Sequence, residues 1–357
     1  MSKTTIVQIV KRFGCVGGME SYVWHLAHGL SEKGQSVLVI CEEVFGEPSQ
    51  HIDVLFVPKS KPRPRWKSMV RFRELVRLEI LRNLKGRQVI IHSHERSLEH
   101  HVTTFHGPPI GVMNRLNLLT YFNKRLRAWR RLEREELLSD STQVVLPVSS
   151  WISKALVDQY PSVCPKIEWM AWPGVEKAPP RKNPSILKRK GDDKLNVVFV
   201  GVEWKRKGLS KAVKICDEFR RVFGDITLHV YGPTPSDLPR HIKNSSCVKS
   251  HGWSSAIPWT NYDALILPAI REPFGMVVAE ARMNGLFVLM SDTVGAADLQ
   301  FKNTAVLPIN ASVIQWCQVL NKLTASRKRL PEIKWSWDEL VDLHLNVIYP
   351  RVSSSLI

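Results

Sequence analysis

ALILPAIREPFGMVVAE, residues 264–280, joins an apolar run to a turn and then to a helical pattern. Ala264–Leu267 is short and apolar, which is typical of a buried strand. Pro273 and Gly275 favour a turn, so we expect the helix to begin near Met276. The first backbone amides of a helix lack partners within it, and the helix dipole favours negative charge there. The stretch therefore predicts a site for a phosphate or a sugar hydroxyl.

Two carboxylates lie in this stretch, eight positions apart. Glu272 precedes the turn and can accept hydrogen bonds from the hydroxyls of a sugar. Glu280 lies one turn into the helix and can accept from two neighbouring hydroxyls of a ribose. Two such carboxylates are also common as surface charges, and composition alone does not choose between these alternatives. The strand–turn–helix setting favours a ligand.

A second strand–turn–helix stretch carries three consecutive cations. Residues 201–208 read GVEWKRKG and join an apolar run to a helical pattern that opens at Gly208. Lys205, Arg206 and Lys207 oppose the helix dipole unless an anion is held between them and the helix amides. The alternative is a solvated basic turn. The position between a strand and a helix favours a phosphate.

Strand-like and helix-like segments alternate along the whole chain, which predicts parallel sheets covered by helices on both faces. A proline-rich stretch from Pro173 to Pro184 separates two such series. We therefore expect one domain over residues 1–172 and a second over 173–334, followed by an amphipathic helix from Trp335 to Tyr349. Ligands of such sheets bind outside the carboxyl ends of the strands, here in a cleft between the domains.

The first domain offers two further candidates. Gly17 and Gly18 precede a helix and allow a backbone to approach a ligand closely, although the loop lacks the GxGxxG spacing of a dinucleotide site. His106 follows an apolar strand and could donate to a sugar hydroxyl or polarise a reacting group. Other histidines crowd the preceding segment without the spacing of a zinc site. We expect no metal.

Composition excludes several classes of protein. The 357 residues are 44% hydrophobic, which is ordinary for a folded chain and too high for a disordered one. No apolar run approaches the roughly 18 residues needed to span a bilayer, and the start does not resemble a signal peptide. The six cysteines form no CxxC pair and are expected to be reduced thiols in a cytoplasmic protein.

The formal net charge of +18 is concentrated in two segments. The segment from Lys59 to Arg87 has a net charge of +9, and that from Arg115 to Arg134 has +6. Such segments suit an anionic membrane, a phosphorylated substrate or nucleic acid. We expect the first to meet the anionic inner membrane or a phosphorylated acceptor. The alternative is a solvated basic helix.

These motifs together resemble a known enzyme family over nearly the whole chain. Glu272 to Glu280 resembles the E-x7-E motif of retaining glycosyltransferases of family 4, and the chain is most similar to bacterial lipopolysaccharide core glycosyltransferases. The resemblance implies the GT-B fold, two Rossmann-like domains facing each other across a cleft. The first domain would bind the acceptor and the second a nucleotide sugar, with residues 335–357 packing back on the first.

The resemblance also implies roles for individual residues. His106, Glu272 and Lys207 match catalytic positions. The positions that match donor-binding residues are Gly17, Gly18, Arg206, Lys207, Glu272, Phe274, Gly275, Met276, Val277 and Glu280. Two departures stand out. Val202 occupies a position where the family usually has arginine, and Pro173 to Glu176 replaces its Asn-Gly-Val-Asp linker motif.

The resemblance implies metal-independent, retaining transfer of a hexose from a nucleotide sugar to a lipid-linked or phosphorylated saccharide. The donor is taken to be UDP-glucose, the acceptor the lipopolysaccharide core, and the location the inner face of the cytoplasmic membrane. One alternative is a UDP-sugar 2-epimerase of the same fold. The other is a basic nucleic-acid-binding protein, for which we find no reading motif and which leaves Glu272 and Glu280 unexplained.

Overall fold

A computed structural model describes residues 4–61, 63–113, 123–176, 194–254, 256–325, 331–352 and 355–356. The chain divides into two compact units. Unit 1 comprises Met1–Gly174 and Trp335–Ile357, and unit 2 comprises Val175–Lys334. The first boundary thus lies two residues after the one expected from the sequence, and the second lies where it was expected.

Unit 1 is built on a parallel sheet with the strand order β5-β3-β1-β6-β7-β8, and β2 pairs with β4 beside it. Its strands are β1 (Thr5–Ile9), β2 (Arg12–Phe13), β3 (Ser36–Cys41), β4 (Glu43–Val44), β5 (Ile52–Phe56), β6 (Gln88–Ser93), β7 (Val102–Phe105) and β8 (Val144–Pro147). Its helices are α1 (Gly18–Glu32), α2 (Arg65–Asn83), α3 (Ile110–Met113), α4 (Lys124–Leu138) and α5 (Ser150–Gln159).

The apolar side chains of unit 1 close over this sheet. Helix α2 is strongly basic, yet Phe72, Val76 and Ile80 recur at helical spacing and pack with Val7 and Ile9 of β1. The second basic segment of the sequence begins with residues 115–122, which lie outside the described residues. The rest of it forms most of α4.

Unit 2 repeats the architecture with the strand order β11-β10-β9-β12-β13-β14, again parallel. Its strands are β9 (Leu195–Val200), β10 (Ile226–Tyr231), β11 (Val248–Gly252), β12 (Ala264–Leu267), β13 (Phe287–Ser291) and β14 (Thr304–Leu307). Its helices are α6 (Leu209–Val222), α7 (Arg240–Lys243), α8 (Met276–Met283) and α9 (Val313–Ala325). Most of the proline-rich linker, residues 177–193, lies outside the described residues.

The C-terminal segment returns to unit 1 as α10 (Trp337–Leu343), a π-helical turn (His344–Ile348), α11 (Tyr349–Arg351) and β15 (Ser355–Leu356). Ser336 caps α10 in a capping box with Glu339, so the helix begins two residues later than the sequence pattern predicts. Strand β15 pairs antiparallel with β6.

The strand orders place the loops that carry the candidate residues. In unit 2 the chain proceeds outward from β9 to β11 on one side and from β12 to β14 on the other. The switch point lies between β9 and β12, and both loops with candidate residues leave the sheet there. In unit 1 the corresponding point lies between β1 and β6, from which the loops to Gly17 and to His94 leave.

Candidate functional site

The two loops of unit 2 are held against each other by backbone contacts. Gly208 caps α6 with φ +81, and a Cβ built there would lie 1.9 Å from the carbonyl oxygen of Pro268. Only glycine fits both that backbone angle and that space. The amide of Ile270 donates to the carbonyl of Arg206 at 2.9 Å. These contacts bring the cations after β9 next to the residues after β12.

Glu272 is buried and accepts from two of those cations. Its Oε2 lies 3.1 Å from Nη1 of Arg206 and 3.3 Å from Nζ of Lys207. Arg206 also donates to the carboxylate of Glu203 at 2.7 Å and to the carbonyl of Arg271 at 2.5 Å. The three-cation motif is therefore not a freely solvated turn at Arg206 and Lys207, because both have carboxylate partners.

Glu280 lies within electrostatic reach of the same lysine. Burial raises the pKa of Glu280, and the charge of Lys207 opposes that rise. Lys207 thus interacts with both carboxylates of the pair that the sequence singles out. The lysine and the two carboxylates come from different segments of unit 2: the loop after β9, the loop after β12 and helix α8.

Helix α8 begins where the sequence predicts. Gly275 caps it with φ +93, and no side chain caps the first turn. Phe274 is buried and its carbonyl accepts from the amide of Ala296 at 2.7 Å. Met276 and Val277 form the partly buried start of the helix. These residues lie next to Glu272 and Lys207 at one edge of the sheet, so the predicted donor residues of unit 2 are brought together.

Gly17 and Gly18 open α1 in unit 1, but the space beside Gly17 is taken. Gly17 has extended backbone, and a Cβ there would lie 2.4 Å from Oε2 of Glu20. The Glu20 carboxylate accepts from Nε of Arg12 at 3.0 Å. A contact within the protein, rather than the backbone angle, therefore accounts for the glycine at position 17.

His106 follows β7 and contacts two other rings of unit 1. Its Nε2 lies 3.0 Å from Nδ1 of His94, and the Tyr22 ring meets its ring edge-on with centroids 5.0 Å apart. Burial lowers the pKa of His106 to about 3, and the charge of Arg96 contributes in the same direction. The ring is therefore neutral at physiological pH.

Comparison with known proteins identifies the family to which the chain belongs. A family model described as Glycosyltransferase Family 4 matches residues 16–170, and one described as Glycosyl transferases group 1 matches residues 182–329. The two models together account for most of both units. The chain belongs to the family 4-like glycosyltransferases of the GT-B type.

Solved glycosyltransferases share the fold of this glycosyltransferase at low sequence identity. It is similar to WaaG, a glycosyltransferase involved in lipopolysaccharide biosynthesis, with 17% identity and a TM-score of 0.74, covering 96% of this chain and 95% of that one. It is similar to the lipopolysaccharide outer core galactosyltransferase WaaB, with 17% identity and a TM-score of 0.62, covering 97% of each. Anabaena HepE, solved with UDP-glucose, matches with 14% identity and a TM-score of 0.61 over 96% of each chain. No curated protein sequence matches the chain.

The family and the fold expected from the sequence are thus confirmed. Gly174, a position at which the chain keeps the glycine of the family's linker motif, lies against the start of α10. A Cβ at Gly174 would lie 2.4 Å from the backbone of Ser336 and Trp337, so this glycine serves the packing of the C-terminal segment.

An ionic cluster that was not predicted from the sequence lies beside the first switch point of the glycosyltransferase. Arg96 pairs with Glu136 at 2.7 Å and with Glu133 at 3.3 Å. Burial raises the pKa of the neighbouring Glu95 to about 7, and the charge of Glu20 adds to the rise. The available signal was the spacing of Glu133 and Glu136, three positions apart in α4, which places both carboxylates on one face of that helix.

The crowded histidines of the glycosyltransferase are explained by hydrogen bonds of the core. Nε2 of His100 donates to the carbonyl of Glu136 at 3.0 Å, and its Nδ1 accepts from the hydroxyl of Ser97 at 2.9 Å. Nδ1 of His101 accepts from the amide of Ile91 at 3.0 Å. Within the described ranges, no three His, Cys, Asp or Glu side chains converge as metal ligands would.

Proposed function

We propose that this glycosyltransferase moves a hexose from a nucleotide diphosphate sugar, UDP-glucose, to a lipid-linked or phosphorylated saccharide such as the lipopolysaccharide core, with retention of configuration. The observation that carries the proposal is Lys207, which lies 3.3 Å from Glu272 and acts electrostatically on Glu280. Support for the donor comes from HepE, whose structure was solved with UDP-glucose. WaaG, which is involved in lipopolysaccharide biosynthesis, and WaaB, a lipopolysaccharide outer core galactosyltransferase, support the acceptor class.

The proposed chemistry is electrostatic. A departing diphosphate gains negative charge, and Lys207, Arg206 and the first amides of α8 would stabilise it. Glu272 would orient the donor sugar, Glu280 would accept from the ribose hydroxyls, and His106 would contact the sugar near the reacting carbon. The acceptor would attack from the face that the diphosphate leaves. Because these cations supply the positive charge, we propose that no metal is needed.

Thermal unfolding tests the donor directly. A ligand that binds only the folded state at 100 times its dissociation constant stabilises that state by about 2.7 kcal/mol. We expect UDP-glucose to raise the melting temperature more than glucose, GDP-mannose or ADP-glucose, and EDTA to leave the shift unchanged. A panel in which no nucleotide or nucleotide sugar shifts the transition would contradict the proposal.

Product analysis tests the reaction. With a saccharide acceptor of lipopolysaccharide, NMR of the product is expected to give the same anomeric configuration as the donor. Incubation without acceptor is the control, since a 2-epimerase would convert UDP-sugars there. Epimerised nucleotide sugar without transfer, or an inverted product, would overturn the assignment.

We also propose that α2 docks the enzyme on the inner face of the cytoplasmic membrane. One exposed face of this helix carries Lys67 and Arg71 together with the exposed apolar side chains of Val70, Leu78 and Leu81. Each cation near an anionic leaflet contributes about 1 kcal/mol, and apolar side chains between the cations can enter the interface. None of the described helices is long and apolar enough to cross a membrane.

Vesicle flotation tests this surface. We expect binding to vesicles that contain anionic lipid, little binding to neutral vesicles, and loss of binding for the double variant Lys67→Glu/Arg71→Glu. The matched control is Lys214→Glu/Lys249→Glu, which makes the same charge change at exposed sites of unit 2. Equal binding of both double variants would exclude α2 as the docking surface. Tight, salt-dependent RNA binding without any response to nucleotide sugars would instead favour a nucleic-acid binder.

A further inference from the structure

A continuous chain of hydrogen bonds in unit 1 links His106 to the C-terminal segment. It is anchored at His344, whose Nδ1 lies 2.8 Å from the backbone carbonyl oxygen of Leu340. A carbonyl oxygen can only accept, so Nδ1 of His344 carries the hydrogen. In a neutral ring the other nitrogen, Nε2, is then an acceptor. One fixed backbone group thus sets the direction of the first link.

The next links follow because each group has one partner on either side. Nε2 of His344 lies 3.4 Å from the hydroxyl of Tyr22, which must donate. A hydrogen bond from Thr104 lowers the pKa of Tyr22 against the rise that burial causes, and from this direction we infer that the Tyr22 oxygen accepts from the Thr104 hydroxyl. The Thr104 oxygen accepts from Nε2 of His92 at 2.8 Å. Nδ1 of neutral His92 is therefore left as an acceptor.

The remaining hydrogen bonds connect His92 to His106 through Tyr349, Gln8 and His94. The hydroxyl of Tyr349 donates to Nδ1 of His92 at 3.0 Å and accepts from Nε2 of Gln8 at 3.0 Å. The Gln8 carbonyl oxygen accepts from Nε2 of His94 at 2.8 Å. Nδ1 of His94 is thus an acceptor, and Nε2 of His106, 3.0 Å away, must donate to it.

Burial keeps these rings neutral, which the chain requires. The pKa of His92 and of His94 is lowered by burial and then by the charge of neighbouring histidines. Burial lowers the pKa of His344 to about 4. A protonated ring would donate from both nitrogens and would face another donor in the chain. The neutral chain has no such conflict.

We propose that this chain fixes His106 as a hydrogen-bond acceptor, with Nδ1 receiving the hydrogen of a sugar hydroxyl. Nδ1 of His106 has no hydrogen-bond partner among the described residues. The position of His106 in the sequence is compatible with donation to a sugar hydroxyl, whereas the chain of hydrogen bonds leaves only an acceptor, Nδ1, for the ligand. The identity of the hydroxyl-bearing ligand rests on the proposed function, whereas the position of the hydrogen does not.

A consequence for specificity follows from this polarity. A hydroxyl can donate to Nδ1, but a fluoro or keto group at the same sugar position can only accept and would face a lone pair. Tyr349 is a positioning residue in this scheme, since its hydroxyl connects the anchor at His344 to His106 through other groups. The C-terminal segment thereby sets the hydrogen-bonding polarity of a residue about 240 positions earlier.

NMR of ¹⁵N-histidine-labelled full-length protein tests the proposal, because the two tautomers of an imidazole give different nitrogen shifts and couplings. The His106 signals are assigned by their loss in His106→Gln. We expect the wild-type ring to carry its hydrogen on Nε2 alone. Tyr349→Phe removes the hydroxyl that connects Gln8 and His94 to His92, and through it to His344. We therefore expect the Nδ1–H tautomer of His106 to appear as well in this variant. Addition of UDP-glucose is expected to shift Nδ1 more than Nε2.

Two control pairs separate positioning from general loss of structure. Tyr262→Phe in unit 2 removes a hydroxyl that lies 2.6 Å from the hydroxyl of Tyr231, and the His106 tautomer should stay single. Thr104→Val breaks the chain in the same unit, and Thr104→Ser restores the hydroxyl and should restore the single tautomer.

The possible failures are distinguishable. A hydrogen on Nδ1 in the wild-type protein, or a tautomer unchanged in both Tyr349→Phe and Thr104→Val, would overturn the inference whatever the enzyme transfers. A single Nε2–H tautomer whose Nδ1 responds to no nucleotide sugar would overturn the sugar ligand, and with it the proposed role of His106.

Discussion

Lys207 joins two carboxylates that the sequence separates by eight positions. Its Nζ lies 3.3 Å from Glu272, and its charge counters the rise in the pKa of Glu280 that burial causes. Removing the cation would leave buried Glu280 without the charge that opposes the rise in its pKa, which favours its protonated form. The lysine therefore affects both the charge of the site and the state of Glu280.

We expect Lys207→Met to lower kcat for sugar transfer by roughly 10²–10³-fold, the effect of losing one preorganised electrostatic group. The measurement uses the nucleotide sugar that gives the largest thermal shift.

Glu280→Gln should weaken binding of that nucleotide sugar, because an amide is a poorer acceptor for ribose hydroxyls than a carboxylate.

Lys214→Met is the matched control for Lys207→Met, since Lys214 is an exposed lysine of α6 in the same unit. Its turnover should equal that of the wild type. Turnover of Lys207→Met within a factor of two of the control would remove Lys207 from the site. Circular dichroism of all three variants checks that they are folded.

Glu95 should make the stability of unit 1 depend on pH. Burial raises its pKa from 4.5 to about 7, so the folded state holds this proton more tightly than the unfolded state. The contribution of Glu95 to the free energy of unfolding is fully present below pH 4.5 and is lost as the pH rises through 7. The total loss is about 3 kcal/mol. Urea unfolding at pH 5 and pH 8 measures it.

Glu95→Gln isolates this term, because glutamine keeps the shape and cannot ionise. The wild type should lose more stability than the variant between pH 5 and pH 8. Glu47→Gln is the control at an exposed site and should follow the wild type. Parallel pH profiles for the wild type and Glu95→Gln would show that Glu95 is ionised in the folded protein at pH 5.

At the scale of elements, α1 and α10 pack through a glycine. A Cβ at Gly29 would lie 2.5 Å from Cγ2 of Val341. Valine has a stiff β-branched side chain and cannot turn away easily. Alanine is otherwise preferred to glycine in a helix by up to about 1 kcal/mol. The overlap should outweigh that preference, and we expect Gly29→Ala to lower the free energy of unfolding by about 1–3 kcal/mol.

A double-mutant cycle with Val341→Ala measures the contact. The smaller side chain makes room for the new methyl group, so the double variant should lose less stability than the sum of the two single variants. Additive losses would mean that Val341 is not the group that excludes a side chain at position 29.

Elements were predictable from the sequence where their signals are local. The helix after Glu272 begins at Met276 as predicted, since a turn glycine and an apolar repeat lie within a few residues of each other. The π-helical turn at His344–Ile348 was not predicted, because the sequence there continues an ordinary helical repeat. The hydrogen bond between Gln8 and Tyr349 joins residues 341 positions apart, and no local pattern indicates such a partner.

The candidate site shows the same division. The positions of Glu272, Lys207 and Glu280 followed from the strand–turn–helix pattern. The pairing of Arg206 with Glu272 did not, because it depends on how two loops from different strands meet. Likewise, the sequence identified His106 but not the neighbours that direct its hydrogen.

At the scale of the whole molecule, the last described segment belongs to the unit that the chain left at Gly174. It contributes buried side chains to unit 1 at Trp337, Leu340, Val341, Ile348 and Tyr349. Burying one such side chain contributes about 1.5–3 kcal/mol, so five of them contribute roughly 10 kcal/mol. That is comparable with the whole stability of a typical domain, about 5–15 kcal/mol.

A chain ended after Lys334 should therefore lose the fold of unit 1 and keep that of unit 2, whose core lies within Val175–Lys334. Hydrogen exchange followed by mass spectrometry measures the two units separately, and β1, β3 and β6 should exchange at nearly unfolded rates while β9 and β12 stay protected. A chain ended after Val352 is the control, because it keeps all five buried side chains and should retain protection in both units. Equal protection of β1 in the two shortened chains would mean that the first 174 residues bury a sufficient core alone. Loss of protection in both units of the shorter chain would mean that the stability of unit 2 depends on unit 1.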